Sequence, residues 1–329
     1  MSDSTIGKKN KKNIIRHFFQ IREIGALIPL VIIFTAASLS NEAFISLSNL
    51  LNMLRATSYL FIVAVGMTFV LCGRGLDLSV GSQVGLSGII LGILMVWWRV
   101  PVWIAIPTAL IIGAAAGAIN GFLITIFRIP PFIATLATYY SYRGILQGIT
   151  KAAPIGPMPQ GFRALGQGSF LGIAYVIWFI IALLLVATFV FRKMKFGRYT
   201  LAMGGNAEST RLAGINTRRL SFSLYVISGV LASIAAIFFN SRFSSAQTGT
   251  GTGMELQAIA ACIIGGVSLF GGSGSILGTL IGCMFLTVLE NGMIMDHISG
   301  YWQQAVVGLI IIIAIVIDLI RKGDLVQKA

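Results

Sequence analysis

Three acidic side chains stand in or beside apolar runs: Asp77 in CGRGLDLSVGS, Glu255 opening MELQAIAA, and Glu290 next to Asn291. A carboxylate inside a bilayer costs about 2.5–3.5 kcal/mol on insertion scales, so each needs a cavity, a partner or an interface. Acids grouped on one pathway relay protons or cations. Scattered over three runs, these read as caps and structural ligands. Gly73 and Gly75 break the backbone before Asp77, and Ser79 and Ser82 supply hydroxyls, so Asp77 suits the N-terminus of a half-helix, with Arg74 pairing with it or left in water. Glu255 is expected to cap its helix at the external face. Cys72, Cys262 and Cys283 fall in or beside apolar runs and His17 and His297 are isolated, so no metal site is expected. No GxxxxGK[ST], HExxH, GxSxG or strand-flanked GxGxxG occurs, so the chain is not expected to be an enzyme or to hydrolyse ATP itself.

One polar island remains. Arg192 to Arg219, RKMKFGRYTLAMGGNAESTRLAGINTRR, carries seven basic side chains and one acid, Glu208, between two long apolar runs. It divides into a basic entrance with Gly197 and Arg198, a small-residue turn at Gly204-Gly205-Asn206, a helical pattern over Ala207 to Ala213 with Glu208 and Arg211, and a basic exit after Gly214. Such a segment presents a compact helix to a soluble partner.

The elements that must position these residues are membrane spans. The chain is 56% hydrophobic and 10% charged, with a mean hydropathy of +0.89, whereas soluble domains carry about a quarter charged residues. Apolar stretches fall at Ile24–Leu39, Thr57–Cys72, Leu76–Trp98, Val102–Ile126, Pro131–Ile149, Phe170–Phe191, Leu220–Asn240, Leu256–Phe270, Ile276–Met295 and Tyr301–Ile320. They predict an all-α, polytopic membrane protein of about ten helices. Those at Thr57, Leu76 and Leu256 are candidates for broken helices. The spans from Thr57 to Ile149 and from Leu220 to Ile320 are each four helices, which allows an inverted repeat with loosely alike turns at Gly73–Gly81 and Gly271–Gly274. Glycines four apart (Gly81/Gly85, Gly88/Gly92, Gly113/Gly117/Gly121, Gly278/Gly282) are expected to pack helices within one subunit.

Lys and Arg near span ends stay on the cytoplasmic side. The tail basics from Lys8 to Arg22, Arg74, Arg128, the central island and Arg321, Lys322 and Lys328 share one side, against Arg55, Arg99, Lys151, Arg163 and Arg242 on the other. Both termini and the island are therefore expected in the cytoplasm, and Trp97, Trp98 and Trp103 at the outer interface. No cleavable signal is expected. The organisation is a basic tail (1–23), one transmembrane domain (24–320) with the loop 192–219, and a short tail (321–329). The net charge of +14 reads as topology and attraction to anionic lipid, not nucleic-acid binding.

Four segments resemble one family. GMTFVLCGRGLDLSVGS (Gly66–Ser82), PPFIATLATYYSYRGI (Pro130–Ile145), FGRYTLAMGGNAESTRLAGI (Phe196–Ile215) and ELQAIAACIIGGVSLFGGSGSILGTLIG (Glu255–Gly282) are similar, in order, to the permeases of ribose-type sugar ABC importers, which also serve arabinose, xylose, galactose and autoinducer-2. Arg74 stands where that family has glycine, and Ser209-Thr210 where it often has alanines. The resemblance implies a subunit in a bacterial inner membrane, paired as a homodimer or pseudo-dimer. It also implies an extracytoplasmic sugar-binding protein above, delivering to the segments 151–168 and 242–253, and a separate ATPase below holding ATP and magnesium. This chain would bind no cofactor. The resemblance makes Gly197, Arg198, Gly204, Gly205, Asn206, Glu208, Arg211 and Gly214 the ATPase-coupling residues. Asp77, Ser79, Ser82, Asn120, Tyr139 and Asn291, with Tyr140 beside them, are candidates for the pathway. A permease for branched-chain amino acids or nucleosides and an ion-coupled transporter remain alternatives.

Overall fold

A computed structural model describes residues 22–322. The tail calls at 1–23 and 321–329, with His17, lie almost wholly outside them. Helices α1 (Arg22–Ser40), α2 (Leu47–Cys72), α3 (Val80–Gly92), α4 (Val102–Thr125) and α5 (Pro131–Thr150) lead to a short α6 (Gln160–Gln167). After a two-residue hairpin, Ser169–Phe170 with Ile173–Ala174, come α7 (Tyr175–Lys193), α8 (Lys195–Gly205) and α9 (Ala207–Leu212). The chain finishes with α10 (Thr217–Phe243), α11 (Met254–Ile264), α12 (Ile276–Met295) and α13 (Gly300–Lys322). Each of the apolar stretches overlaps one of these helices, although Leu76–Trp98 and Phe170–Phe191 begin before theirs and Leu256–Phe270 runs past the end of its own. Six are long and apolar enough to cross a membrane: α2, α3 with the π turn that continues it to Trp97, α4, α7, α10 and α12.

α2 and α10 form the centre. From Thr57 to Cys72 every residue of α2 is buried, by α10, α11, α12 and α7. The expected break near Thr57 does not occur: Ser46 caps α2 by accepting from the Asn49 N–H, and the helix runs on to Gly73. The other two breaks are real. Residues 73–79 are not helical before α3, and α11 ends at Ile264, after which Gly266 and Gly271 take left-handed φ values of 83°. At 1.5 Å per residue, the 11 residues of α11 reach roughly 16 Å, about half of a bilayer core.

The glycine pairs explain how helices come this close. A Cβ on Gly113 or Gly117 would run into the backbone carbonyls of Gly229 and Tyr225 on α10, and one on Gly278 or Gly282 into those of Gly265 and Ala261. The Gly81/Gly85 and Gly88/Gly92 pairs likewise meet segments of the same chain. All four seams are internal, as expected. Small residues let dispersion contacts and interhelical hydrogen bonds hold helices where lipid gives no hydrophobic drive.

Candidate functional site

The segment after α2 builds a buried polar knot. At Gly73–Gly75 the chain doubles back, with Gly75 N–H donating to the Val70 carbonyl at 2.9 Å. Asp77 is then fully buried. One carboxylate oxygen accepts from the Ser79 hydroxyl (2.6 Å) and N–H (3.0 Å), and the other from the Ser228 hydroxyl of α10 (2.8 Å) and Gln83 Nε2 (3.3 Å). The donors run in series towards the carboxylate. The Thr138 hydroxyl of α5 donates to Asn120 Oδ1 on α4 (2.6 Å), Asn120 Nδ2 donates to the Ser79 hydroxyl (2.7 Å), and that hydroxyl donates to Asp77. Four helices therefore meet at one carboxylate. Ser228 lies eight residues beyond Leu220, the first apolar residue of α10, so the knot sits roughly 12 Å inside the span, near the middle of the hydrocarbon.

Arg74 plays no part in this knot. It is exposed, at a left-handed φ of 63°. A glycine would suit this position better, since an L-residue with a side chain adopts this conformation only at a cost of about 1–2 kcal/mol.

One helical turn further along α3, Gly81 packs on Gly251 and on Glu255 Oε2. Glu255 does stand in the first turn of α11, where a cap belongs, but it is buried against α3 and not at an external face. The segment 242–253 is not a free loop either. It enters the bundle because Arg143 of α5, itself buried, donates through Nη1 to the carbonyls of Thr248 (2.6 Å) and Thr250 (3.1 Å). An antiparallel bridge between Ile155 and Ala246 joins it to the other segment expected outside, 151–168. A carbonyl-rich, Gly/Thr sequence looks flexible until a guanidinium supplies the donors it lacks.

Of the pathway candidates, Asp77, Ser79 and Asn120 join in the knot, and Ser82 lies beside it, donating to the Ser79 carbonyl (2.8 Å). Tyr139 sits apart, its ring 5.9 Å from the Arg143 guanidinium carbon and edge-on to Tyr140. Asn291 is elsewhere, paired reciprocally with Asn49 at 2.9 Å where α12 meets α2. Gln83, Ser228 and Thr138 were missed. Gln83, six residues after Asp77 in a Gly/Ser-rich segment, was a readable signal; a serine and a threonine in ordinary spans were not.

The island 192–219 folds as α8 and α9. Gly204 and Gly205 are the last residues of α8, not a turn; the chain bends at Asn206, whose side chain accepts from the Ser209 N–H (2.9 Å) and starts α9. Two glycines seat α8. A Cβ on Gly197 would strike the Phe191 backbone, and one on Gly204 would strike the Cys72 carbonyl and the N–H of Gly272, which itself donates to Cys72 O at 2.9 Å. The C-terminus of α2, the end of α8 and the turn between α11 and α12 thus touch backbone to backbone. Gly205 has nothing within 4 Å of its missing Cβ, and Asn206, Glu208, Arg211 and Gly214 are exposed, as is Leu212 at 78%. Glu208 and Arg211 pair at 2.6 Å. The hydrogen bond and charge of Arg211 hold the Glu208 carboxyl below its ordinary pKa, so the pair is intact at neutral pH and is lost as the pH falls through that lowered value.

A bundle of apolar helices with one half-helix, buried polar groups at mid-depth and one exposed helix pair at one end is the architecture of a multi-pass membrane transport subunit. Residues 49–315 match the family model described as branched-chain amino acid transport system / permease component, and the chain belongs to that permease family. Its relatives include the ribose import permease protein of Haemophilus influenzae, 39% identical over 90% of this chain and 93% of that protein. The ribose import permease protein of Escherichia coli K12 is 38% identical, covering 91% and 94%. The autoinducer 2 import system permease protein of Salmonella choleraesuis is 34% identical, covering 90% and 85%. These relatives are named as permease components of import systems. No solved structure matches the chain.

Proposed function

We propose that this chain is the inner-membrane permease of an ATP-binding-cassette importer for a monosaccharide. A binding protein delivers the sugar on the extracytoplasmic side, and a separate ATPase, carrying ATP and magnesium, drives transport from the cytoplasm. All ten apolar helices cross or enter the bilayer, with both termini and α8–α9 in the cytoplasm, and two such subunits, identical or related, form the assembly. The family description names branched-chain amino acids, whereas the relatives matched along nearly the whole chain are named for ribose and autoinducer-2. GLDLSVGS at 75–82 and FGRYTLAMGGN at 196–206 favour the sugar reading.

The observation that carries the coupling role is the backbone contact of Gly204 with Cys72 and Gly272. A force applied by the ATPase to the exposed face of α9, with Gly205, Asn206, Glu208, Arg211 and Leu212, reaches α2 and the α11–α12 turn without passing through any flexible side chain. Gly197 and Gly204 then seat the lever, while Gly205 and Leu212 meet the partner. The same geometry supports an inverted repeat of α2–α5 and α10–α13. α2 and α10 are the long central helices, and the broken segments 73–79 and 244–253 each lead into a short helix, α3 or α11, with an acid close to its start.

The test is ATP-dependent uptake of labelled pentoses, hexoses and branched-chain amino acids into vesicles holding the permease with its ATPase and binding protein. Gly205→Asp and Leu212→Glu should leave insertion intact and reduce monosaccharide uptake at least tenfold, about the loss of one good interface anchor. Uptake of leucine instead of sugar selects the amino-acid reading. Uptake that continues without ATP, or that ignores both substitutions, removes the coupling role.

A further inference from the structure

We infer that the sugar crosses this subunit along the face shared by α11, α12 and α13, where it is held by Glu290, Gln257, Gln303, Gln304 and Tyr301, and not past the buried Asp77 knot. A cavity of about 650 Å³ lies between these three helices. A sugar needs hydrogen-bond donors and acceptors side by side, together with an aromatic face, and this wall supplies them. Gln257 Nε2 donates to Glu290 Oε1 at 2.6 Å, so an amide and a carboxylate stand together on adjacent helices. Gln303 and Gln304 face them from the first turns of α13, and Tyr301 is 86% exposed.

Further along α13 the same wall turns apolar, at Val307, Gly308 and Ile311. Polar groups at the mouth and smooth apolar surface below let a sugar enter without being trapped, which is what a conduit fed by a high-affinity binding protein requires. Glu290 also borders a second cavity of about 290 Å³ with Arg242 and Asn52, so its carboxylate stands between the two. The Asp77 knot, by contrast, has its carboxylate occupied by its own neighbours. The cavity is also mechanically placed: α11 ends in the turn that contacts Gly204, so motion of α8 reaches the helix carrying Gln257. The inference rests on the importer reading above.

Two measurements on the assembled transporter test it. Gly308→Cys and Leu309→Cys place thiols on the cavity wall and on the outward face of α13; Gly308 has open space where its Cβ would go, and the three native cysteines are buried. A charged, membrane-impermeant methanethiosulfonate should modify Gly308→Cys at least tenfold faster than Leu309→Cys, because a thiol in lipid neither ionises nor meets the reagent, and modification should block uptake of labelled D-ribose. In parallel, Glu290→Gln should reduce ribose uptake about tenfold, the loss of one charge-assisted hydrogen bond, while hydrolysis of ATP stimulated by the binding protein persists. Equal, slow labelling of the two cysteines overturns the inference, and so does full uptake by Glu290→Gln. If Glu290→Gln fails to insert, the labelling pair decides alone. Wild type that imports no monosaccharide defeats the importer reading itself, whatever the labelling shows.

Discussion

Arg74 isolates a single residue's contribution. Its φ of 63° asks for glycine, and its side chain makes no contact with Asp77. Arg74→Gly should therefore stabilise the fold, by up to about 1 kcal/mol after the greater freedom of glycine in the unfolded chain is deducted, and so raise the thermal midpoint. A maleimide dye that fluoresces as the buried cysteines become reactive reads this directly; a lower midpoint would show that Arg74 is held by something else. Asp77 gives the opposite case. Asp77→Ala leaves the Ser79 N–H, the Ser228 hydroxyl and the Gln83 amide without their acceptor, at about 1–3 kcal/mol for each buried donor left unpaired. Asp77→Asn keeps one acceptor oxygen, and the Ser228 hydroxyl can rotate to accept from the new amide, so it should unfold well above Asp77→Ala in the same assay. Equal midpoints would mean that the charge, not the hydrogen-bond pattern, holds the knot.

At the scale of elements, the C-terminal end of α8 predicts opposite behaviour for two neighbouring glycines. Gly204→Val must displace the backbone of Cys72 and Gly272, and should cut the yield of folded protein; Gly205→Val meets open space and should fold normally. Size-exclusion profiles of the two variants in detergent distinguish them, and a well-folded Gly204→Val would undo the lever. Arg143 plays the comparable part for the segment 242–253. Arg143→Leu strips the carbonyls of Thr248 and Thr250 of their donor inside the bundle, and a cysteine at Thr250 should become reactive to a water-soluble thiol reagent only in that variant. Neither feature was open to sequence reading. Gly204-Gly205 reads as a turn because small residues usually mark one, and nothing in Thr-Gly-Thr-Gly points to Arg143, which lies more than a hundred positions away. Broken helices at Leu76 and Leu256 were legible, since glycine, serine and an acid cluster at those points; the break at Thr57 was not realised because tertiary burial outweighed local polarity.

For the whole molecule, the charge asymmetry predicts the orientation. A fluorescent protein fused after Ala329 should mature in the cytoplasm, and alkaline phosphatase fused after Lys151 should be active outside; the reverse pattern would invert every assignment of side, the α11–α13 cavity included. Composition and period were enough to give an all-α, multi-pass membrane protein, because hydrocarbon forbids any other backbone solution than helix or closed barrel. Local motifs also identified the family and the island at 192–219. What only the tertiary structure decided is which polar groups meet. Asp77 joins Ser228 and Glu255 joins Gly81, while Tyr139 and Asn291 go elsewhere, because helix rotation and depth set these encounters and a single sequence records neither. The glycine spacing showed that helices approach closely; the particular backbone each one touches is fixed by packing among all of them at once.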